Sequence, residues 1–253
     1  MIYRTPEISD DVRKYLQSEN YQSKSVLEFY SGFQDGFVWL HPFLKVKEGC
    51  AGQIRFETGN WPDKIAIGTY CEKISWNEVI RLTDMRDIKS LDVSLAFYHR
   101  ASRLAERKEY AKFKRLIEKE RVDIIPPQVD KLPEIDENRL LKKLQSLGYN
   151  SVFIYSDIQS KGQLTSIEEI LSDRNGLPFH VRMETPDSQI LVVQDFDQRF
   201  TCLLSNKTLL LDMVESLDLE GFFCDQDTPQ SWSYYNIPDT EKMDWDEDMK
   251  ATN

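Results

Sequence analysis

Of the three histidines in this sequence, His99 is the one set among side chains that could act with it, because Arg100, Arg103 and Arg107 follow at helical spacing. Arginine presents a planar fork of donors to carboxylate or phosphate, and histidine changes charge near physiological pH. Together the four residues suit an anionic small molecule or an acidic protein surface; they equally suit a solvated helix face. His41 stands before Pro42 in an apolar segment, and His180 opens an extended run. Neither has a metal-type ligand at useful spacing, so both read as hydrogen-bonded structural histidines.

Paired carboxylates are the second set: Asp195-x-Asp197, Asp225-x-Asp227 and Asp244-x-Asp246. Alternate residues of an extended chain point the same way, so each pair could share a divalent cation. Asp195 and Asp197 fall in a short turn between two strands, however, and Asp225 and Asp227 follow a strand end. Aspartate is favoured in both settings for turn geometry alone, so no metal site is expected.

Motifs for other chemistry are missing. The chain lacks a Gly-x-x-x-x-Gly-Lys-Ser/Thr loop and a Gly-x-Gly-x-x-Gly run, and its ten glycines leave little material for cradling a phosphate. It lacks a Gly-x-Ser-x-Gly elbow and a His-Glu-x-x-His helix. No cofactor is implied. Cys50, Cys71, Cys202 and Cys224 are widely separated and read as reduced core residues of a cytoplasmic protein.

The elements that must position these residues follow from periodicity. Short helices are predicted over 8–16 and 26–30, then an extended run over 37–46. Strands are expected over 54–56 and 65–67. Ser75 and Glu78 have capping-box spacing at the start of a helix over 76–83. One long helix, or two in sequence, is predicted from Leu91 to about Lys119, with an outer side crowded by Arg and Lys. Pro126-Pro127 ends it, and the polar stretch to Glu134 reads as a linker. Helices are then expected over 137–147, 165–171 and 207–217, and strands over 151–155, 180–184, 189–194, 200–204 and 221–224. The strands on either side of Asp195-Asp197 should pair as an antiparallel hairpin.

The fold class is therefore α+β. A helical N-terminal half with a long basic helix precedes a mainly antiparallel sheet with helices packed on one face. The expected division is 1–125, 135–236 and an acidic tail, 237–253.

Charge bounds the partners. The 253 residues carry a net −11, distributed as −1 over 1–86, +4 over 87–121 and −14 over 122–253. Such a C-terminal half repels nucleic acid and anionic membranes and attracts basic proteins. Neither a secretory leader nor an apolar run of membrane-spanning length is expected. Trp232 and Tyr234, with Tyr235, follow the last predicted strand outside any regular apolar pattern; they either seal a sheet edge or present a binding patch.

Several segments resemble a known group of sequences: Leu40-His-Pro-Phe43, the helix start Trp76 to Val79, Arg107-Lys-Glu-Tyr-Ala111, Tyr155-Ser-Asp157, Phe196 to Leu204, Glu220 to Asp225, and Trp232. They resemble an uncharacterised family, a domain of unknown function, of Gram-positive spore-forming bacteria, over roughly 37–232. That resemblance implies a bacterial cytoplasmic origin and supplies no activity.

Three functions stay open at this level. One is a protein-binding module for a basic partner, immunity-like in its electrostatics, with Asp195, Asp197, Asp225, Asp227, Trp232 and Tyr234 at its surface. Another is an enzyme or small-molecule binder that uses His99, Arg100, Arg103 and Arg107 for an anionic ligand. The last is a structural homo-oligomer joined through the Trp232 region.

Overall fold

In the computed structural model the described residues are 1–2, 25–57, 60–98, 107–155, 162–194 and 198–230. Chain order is helix α1 (Val26–Phe29), strands β1 (Asp35–Leu40) and β2 (Phe43–Val46), helix α2 (Lys64–Tyr70), strand β3 (Cys71–Ile74), and helices α3 (Trp76–Thr83), α4 (Ile88–Tyr98) and α5 (Arg107–Arg115). A π-helical turn (Leu116–Glu120) and strand β4 (Ile124–Ile125) come next. Helix α6 (Glu134–Ser146), strands β5 (Ser151–Tyr155) and β6 (Gln163–Ser166), helix α7 (Ile167–Ser172), strands β7 (Arg182–Glu184), β8 (Leu191–Val193) and β9 (Phe200–Ser205), helix α8 (Lys207–Leu217) and strand β10 (Gly221–Phe223) complete the order.

The fold is α+β. Seven strands form one sheet in the order β10-β1-β9-β8-β7-β5-β6, with every pairing antiparallel. The hairpin expected around Asp195-Asp197 is present, with Leu191 opposite Leu204 and Val193 opposite Cys202. The sheet is not confined to the C-terminal half, because β1 from the N-terminal half lies between β10 and β9. Its sequence, with Phe37, Val38, Trp39 and Leu40 all buried, is what a strand covered on both faces needs. Gly221 stands opposite Trp39, where a Cβ would collide with the Val38 carbonyl and the Phe37 ring.

Alternate residues of these strands point to one face. Phe37, Trp39, Val152, Met183, Val192 and Leu203 pack there against Leu140 and Leu144 of α6, Ile167 and Ile170 of α7, and Leu210, Met213 and Val214 of α8. A smaller sheet, β3-β2-β4, has its own core of Leu44, Ile54, Ile67 and Cys71. The chain changes sheets across two residues, His41 and Pro42, between β1 and β2.

Helix α2 corrects the strand expected over 65–67. Asp63 caps the helix by accepting the Ala66 amide at 2.8 Å, and that bond, with the Arg174 guanidinium, holds its carboxyl below the usual range. Lys64, the first residue of the helix, turns inward. Its Nζ donates to Glu137 Oε1 at 2.8 Å and to the Ile170 carbonyl at 2.6 Å, with both charged side chains fully covered. Glu137 Oε2 accepts the Leu177 amide at 2.9 Å. Nearby Gly176 has φ +73, and a Cβ there would strike the Glu137 carboxylate.

Helix α6 begins at Glu134, three residues before the expected start, with Pro133 at its N-cap and Glu134, Asp136 and Glu137 in the first turn. Acidic residues favour that end of a helix electrostatically. The segment read as a linker is not solvated: Pro127, Leu132, Pro133 and Glu134 are buried.

The chain divides into two compact units, the first drawing its described residues from 1–2, 25–75 and 123–228, the second from 76–98, 107–122 and 229–230. In the second, α4 and α5 pack together, with the Tyr98 and Phe113 rings edge to face at 5.9 Å. Glu109, 4% exposed, pairs with Lys112 at 2.9 Å and accepts the Arg86 amide at 3.3 Å. The helix expected over 91–119 is described as α4, α5 and the π-helical turn; residues 99–106 lie outside the described residues.

Removing one member of a buried ion pair strands the other in a low-dielectric interior. Glu137→Ala should lower stability by about 3–5 kcal/mol in urea unfolding. The double variant Lys64→Met/Glu137→Leu should lose less than Glu137→Ala alone. Equal or larger loss in the double variant would show that the pair itself, rather than the stranded charge, carries the stability.

Candidate functional site

One group of buried polar side chains in the first unit gathers where the chain crosses between sheets. His41, 1% exposed, lies with its Nε2 2.8 Å from Thr201 Oγ1. Thr201 Oγ1 donates to Gln194 Oε1 at 2.9 Å, and Gln194 Nε2 donates to the Gln198 carbonyl at 2.9 Å. Arg199 is also buried, at 2% exposure. Burial and then the Arg199 charge push the His41 imidazole down to about 3, against the opposing pull of hydrogen bonds to the Gln128 backbone and Gln194. His41 is thus neutral at physiological pH and does not shuttle protons there.

Beside this network is a cleft bordered by His41, Trp61, Gln128, Lys131 and Glu134, with Pro42, Pro127 and Pro133 in its wall. Its water-accessible volume is about 10 Å3, close to the least that a single water needs. The Trp61 indole Nε1 and Gln128 Oε1 are buried with no hydrogen-bond partner among the described residues. Glu134 lies 3.2 Å from Lys131 Nζ as an ion pair, and burial raises its carboxyl pKa although Lys131 opposes the rise. Lys131 Nζ also lies 5.7 Å from the centre of the Phe179 ring, which is half exposed.

At the other end of the large sheet the register gathers carboxylates. Asp35 pairs with Ser205, Leu191 with Leu204, and Glu184 with Leu191, which brings Asp35, Glu184 and the β7–β8 turn with Asp187 to one end. Phe37 pairs with Phe223, and the Val26 amide donates to the Thr228 carbonyl at 2.8 Å, so Asp225, Asp227 and Glu28 join them. Burial opposes ionisation of Asp187. Donors from Thr185, the Gln189 amide and Tyr149 outweigh it and hold the carboxyl below the usual range.

Asp225 has a local role. Its Oδ1 accepts the Asp227 amide at 3.0 Å and the Thr228 hydroxyl at 2.8 Å, closing the turn that follows β10. This is the turn geometry anticipated from sequence, and no group of three or more metal-type ligands occurs among the described residues. Asp227 is exposed. His99, Arg100, Arg103, Asp195, Asp197, Trp232 and Tyr234 lie outside the described residues, and Arg107 opens α5. The strand ends that flank Asp195 and Asp197, Val193 and Phe200, are at the end of the sheet opposite Asp225. His180 adopts φ 52, with Nδ1 3.9 Å from an Asp130 carboxylate oxygen.

Trp61, Gln128, Lys131 and Glu134 were not singled out from sequence. Their signal was faint: a tryptophan in an Asn-Trp-Pro loop and a proline-rich segment that resembles a linker until its burial is known.

The family described as "Protein of unknown function (DUF2711)" matches residues 22–234. The chain belongs to that family. The match takes in β1, both sheets and the cleft residues. No curated protein and no solved structure matches the chain. Among the described residues no helix is long and apolar enough to cross a membrane, and all four cysteines are free.

The His41 environment has a pH signature. The neutral ring is favoured in the folded state, whereas the unfolded histidine takes up a proton near pH 6.5. Above that value His41 contributes nothing to the pH dependence. As pH falls from 6.5 toward about 3, it should subtract stability with a slope of up to about 1.4 kcal/mol per pH unit. Urea unfolding of wild type and His41→Asn at pH 7.5 and pH 5 should give a stability difference that narrows at the lower pH. A difference independent of pH would sink this reading of His41.

Proposed function

We propose that the protein is a cytoplasmic binding module for a basic protein partner, acting by electrostatic complementarity as a toxin-neutralising protein does. The supporting observation is the convergence of Glu28, Asp35, Glu184, Asp187, Asp225 and Asp227 on one end of the large sheet. Among the described residues, two cations at this end are engaged. Arg182 pairs with Glu184 at 3.4 Å, and Lys207 Nζ lies 3.1 Å from the Phe223 ring centre. The end is therefore anionic at neutral pH, and Asp187 keeps its charge well into the acid range.

A carboxylate-rich end on a rigid sheet steers a cationic surface during encounter and rejects anionic competitors. Asp225 would act mainly by shaping its turn, while Asp35, Asp187 and Asp227 supply field. Asp195, Asp197, Trp232 and Tyr234 lie outside the described residues and stay candidates for contact with the same partner.

The test is capture of basic proteins from native lysate on immobilised protein at about 50 and 300 mM salt, where screening differs strongly. A stoichiometric basic partner should bind at the lower salt and leave at the higher. Its association rate should drop about tenfold for Asp35→Asn/Asp187→Asn/Asp227→Asn. The equally neutralising Glu168→Gln/Glu169→Gln/Glu215→Gln should change it less than about twofold. Equal effects of the two triple variants would reduce the proposal to net charge and overturn the sheet end as the docking face. A prey list without a basic protein would overturn the function itself.

A further inference from the structure

The loop between α7 and Leu177 carries an inference independent of the acidic sheet end. It holds the only Asn-Gly dipeptide of the sequence, Asn175-Gly176. The carboxamide carbon of an asparagine can close a succinimide ring with the backbone nitrogen of the residue that follows. Closure needs that nitrogen deprotonated and unobstructed, and glycine, with no Cβ, obstructs it least.

The surroundings of the dipeptide favour this chemistry. Asn175 is exposed, and its own amide donates to Asp173 Oδ1 at 2.9 Å. Among the described residues, neither the Asn175 carboxamide nor the Gly176 amide makes a hydrogen bond. The Asn175 backbone carbonyl accepts from Lys131 Nζ at 3.4 Å. That carbonyl and the Gly176 N–H belong to one conjugated peptide unit, so the charge left by deprotonating the nitrogen spreads to the oxygen. A cation at the oxygen stabilises the anion, as donors placed at a developing oxyanion do. The Glu137 carboxylate also lies close to Gly176, and its charge is offset by Lys64 at 2.8 Å.

We propose that Asn175 is a site of deamidation in the folded protein, promoted by Lys131. The Gly176 nitrogen attacks Asn175 Cγ; the new N–C bond forms, the Cγ–Nδ2 bond breaks, and the displaced amide leaves as ammonia with the proton from Gly176. Water then opens the succinimide at either carbonyl, which gives aspartate or isoaspartate at position 175. Isoaspartate routes the main chain through the former side chain and inserts a methylene just before Gly176. The Leu177 amide, which donates to Glu137 Oε2 at 2.9 Å, is displaced with it. The buried Lys64–Glu137 pair then lacks one of the hydrogen bonds that make its burial tolerable. The site therefore couples a spontaneous reaction with water to the contact that docks α2 against α6.

The experiment incubates the folded full chain in mildly alkaline buffer made with heavy-oxygen water, followed by digestion and mass spectrometry. The peptide containing Asn175 should take up one heavy oxygen and acquire isoaspartate, detected by enzymatic carboxyl methylation. The peptide containing Asn150-Ser151 should convert far more slowly. Lys131→Met should slow conversion at Asn175 roughly fivefold, and Lys131→Arg should restore it. An unchanged rate in Lys131→Met would overturn the role of Lys131; Lys131→Gln takes its place if that variant does not fold. Absence of heavy oxygen at position 175 in the folded chain overturns the proposal, whether or not the urea-unfolded chain converts. The isoaspartyl form, separated by ion exchange, should unfold at lower urea than the parent chain, while Asn175→Asp stays close to it. Equal midpoints for the isoaspartyl form and the parent would overturn the coupling to Glu137.

Discussion

The fold turns on one charge pair held out of water. Lys64 and Glu137 each have a fully covered side chain, and each makes a further hydrogen bond to backbone, at Ile170 and Leu177. Charges in such surroundings are tolerated only when the geometry around them is complete. Four pieces therefore have to meet correctly: the start of α2, the first turn of α6, the end of α7 and the loop before Leu177. An error in any of them leaves an ion without its partners. The pair thus acts as a register pin between the small-sheet region and the helical layer of the large sheet, a role for which apolar packing is less discriminating. Gly176 is part of the same arrangement, because its left-handed backbone and missing Cβ leave room for the Glu137 carboxylate.

Secondary contacts extend the docking. Asp63 pairs with Arg174 at 2.7 Å, and Lys73 of β3 lies 3.2 Å from Asp136 and within 3.4 Å of the Leu217 and Asp218 carbonyls. A cation at the C-terminus of α8 and carboxylates at the N-terminus of α6 both comply with the helix dipoles. With β2, β3 and α2 held in this way, His41 and Pro42 become a short bridge between two fixed sheets. The cleft is what remains at that bridge. The large sheet consequently has two chemically different ends, one open and anionic, the other buried, neutral at His41 and rich in hydrogen-bonding groups.

Much of this architecture was legible wherever local signals and tertiary context agree. Helix α8 runs over the expected residues because Asn206 caps it and its apolar period is regular. The Leu191–Val193 and Phe200–Ser205 strands were legible as a hairpin from their spacing. Segment 65–67 was not, since Ile-Ala-Ile looks β-like until the Asp63 cap and the inward Lys64 are considered together. The 126–134 stretch misled for a related reason: prolines and polar residues mark linkers by composition, while here they form the wall of a cleft. Glu134 read as the end of a linker and Glu137 as the first residue of a helix, and nothing local says that both are buried. The central place of β1 was also hidden, because its partners lie far away in sequence.

That last feature constrains how the molecule is made. Strand β1 is complete by residue 40, yet its two neighbours, β9 and β10, end at residues 205 and 223. During synthesis the middle of the sheet has no lateral partner until almost the whole domain has left the ribosome, and non-local pairings of this kind close slowly. Phe37, Val38, Trp39 and Leu40 therefore spend translation as an apolar strand waiting for its template. The nascent chain has to be sheltered over that interval, so a cell overproducing this protein should find its chaperones occupied by the N-terminal segment first.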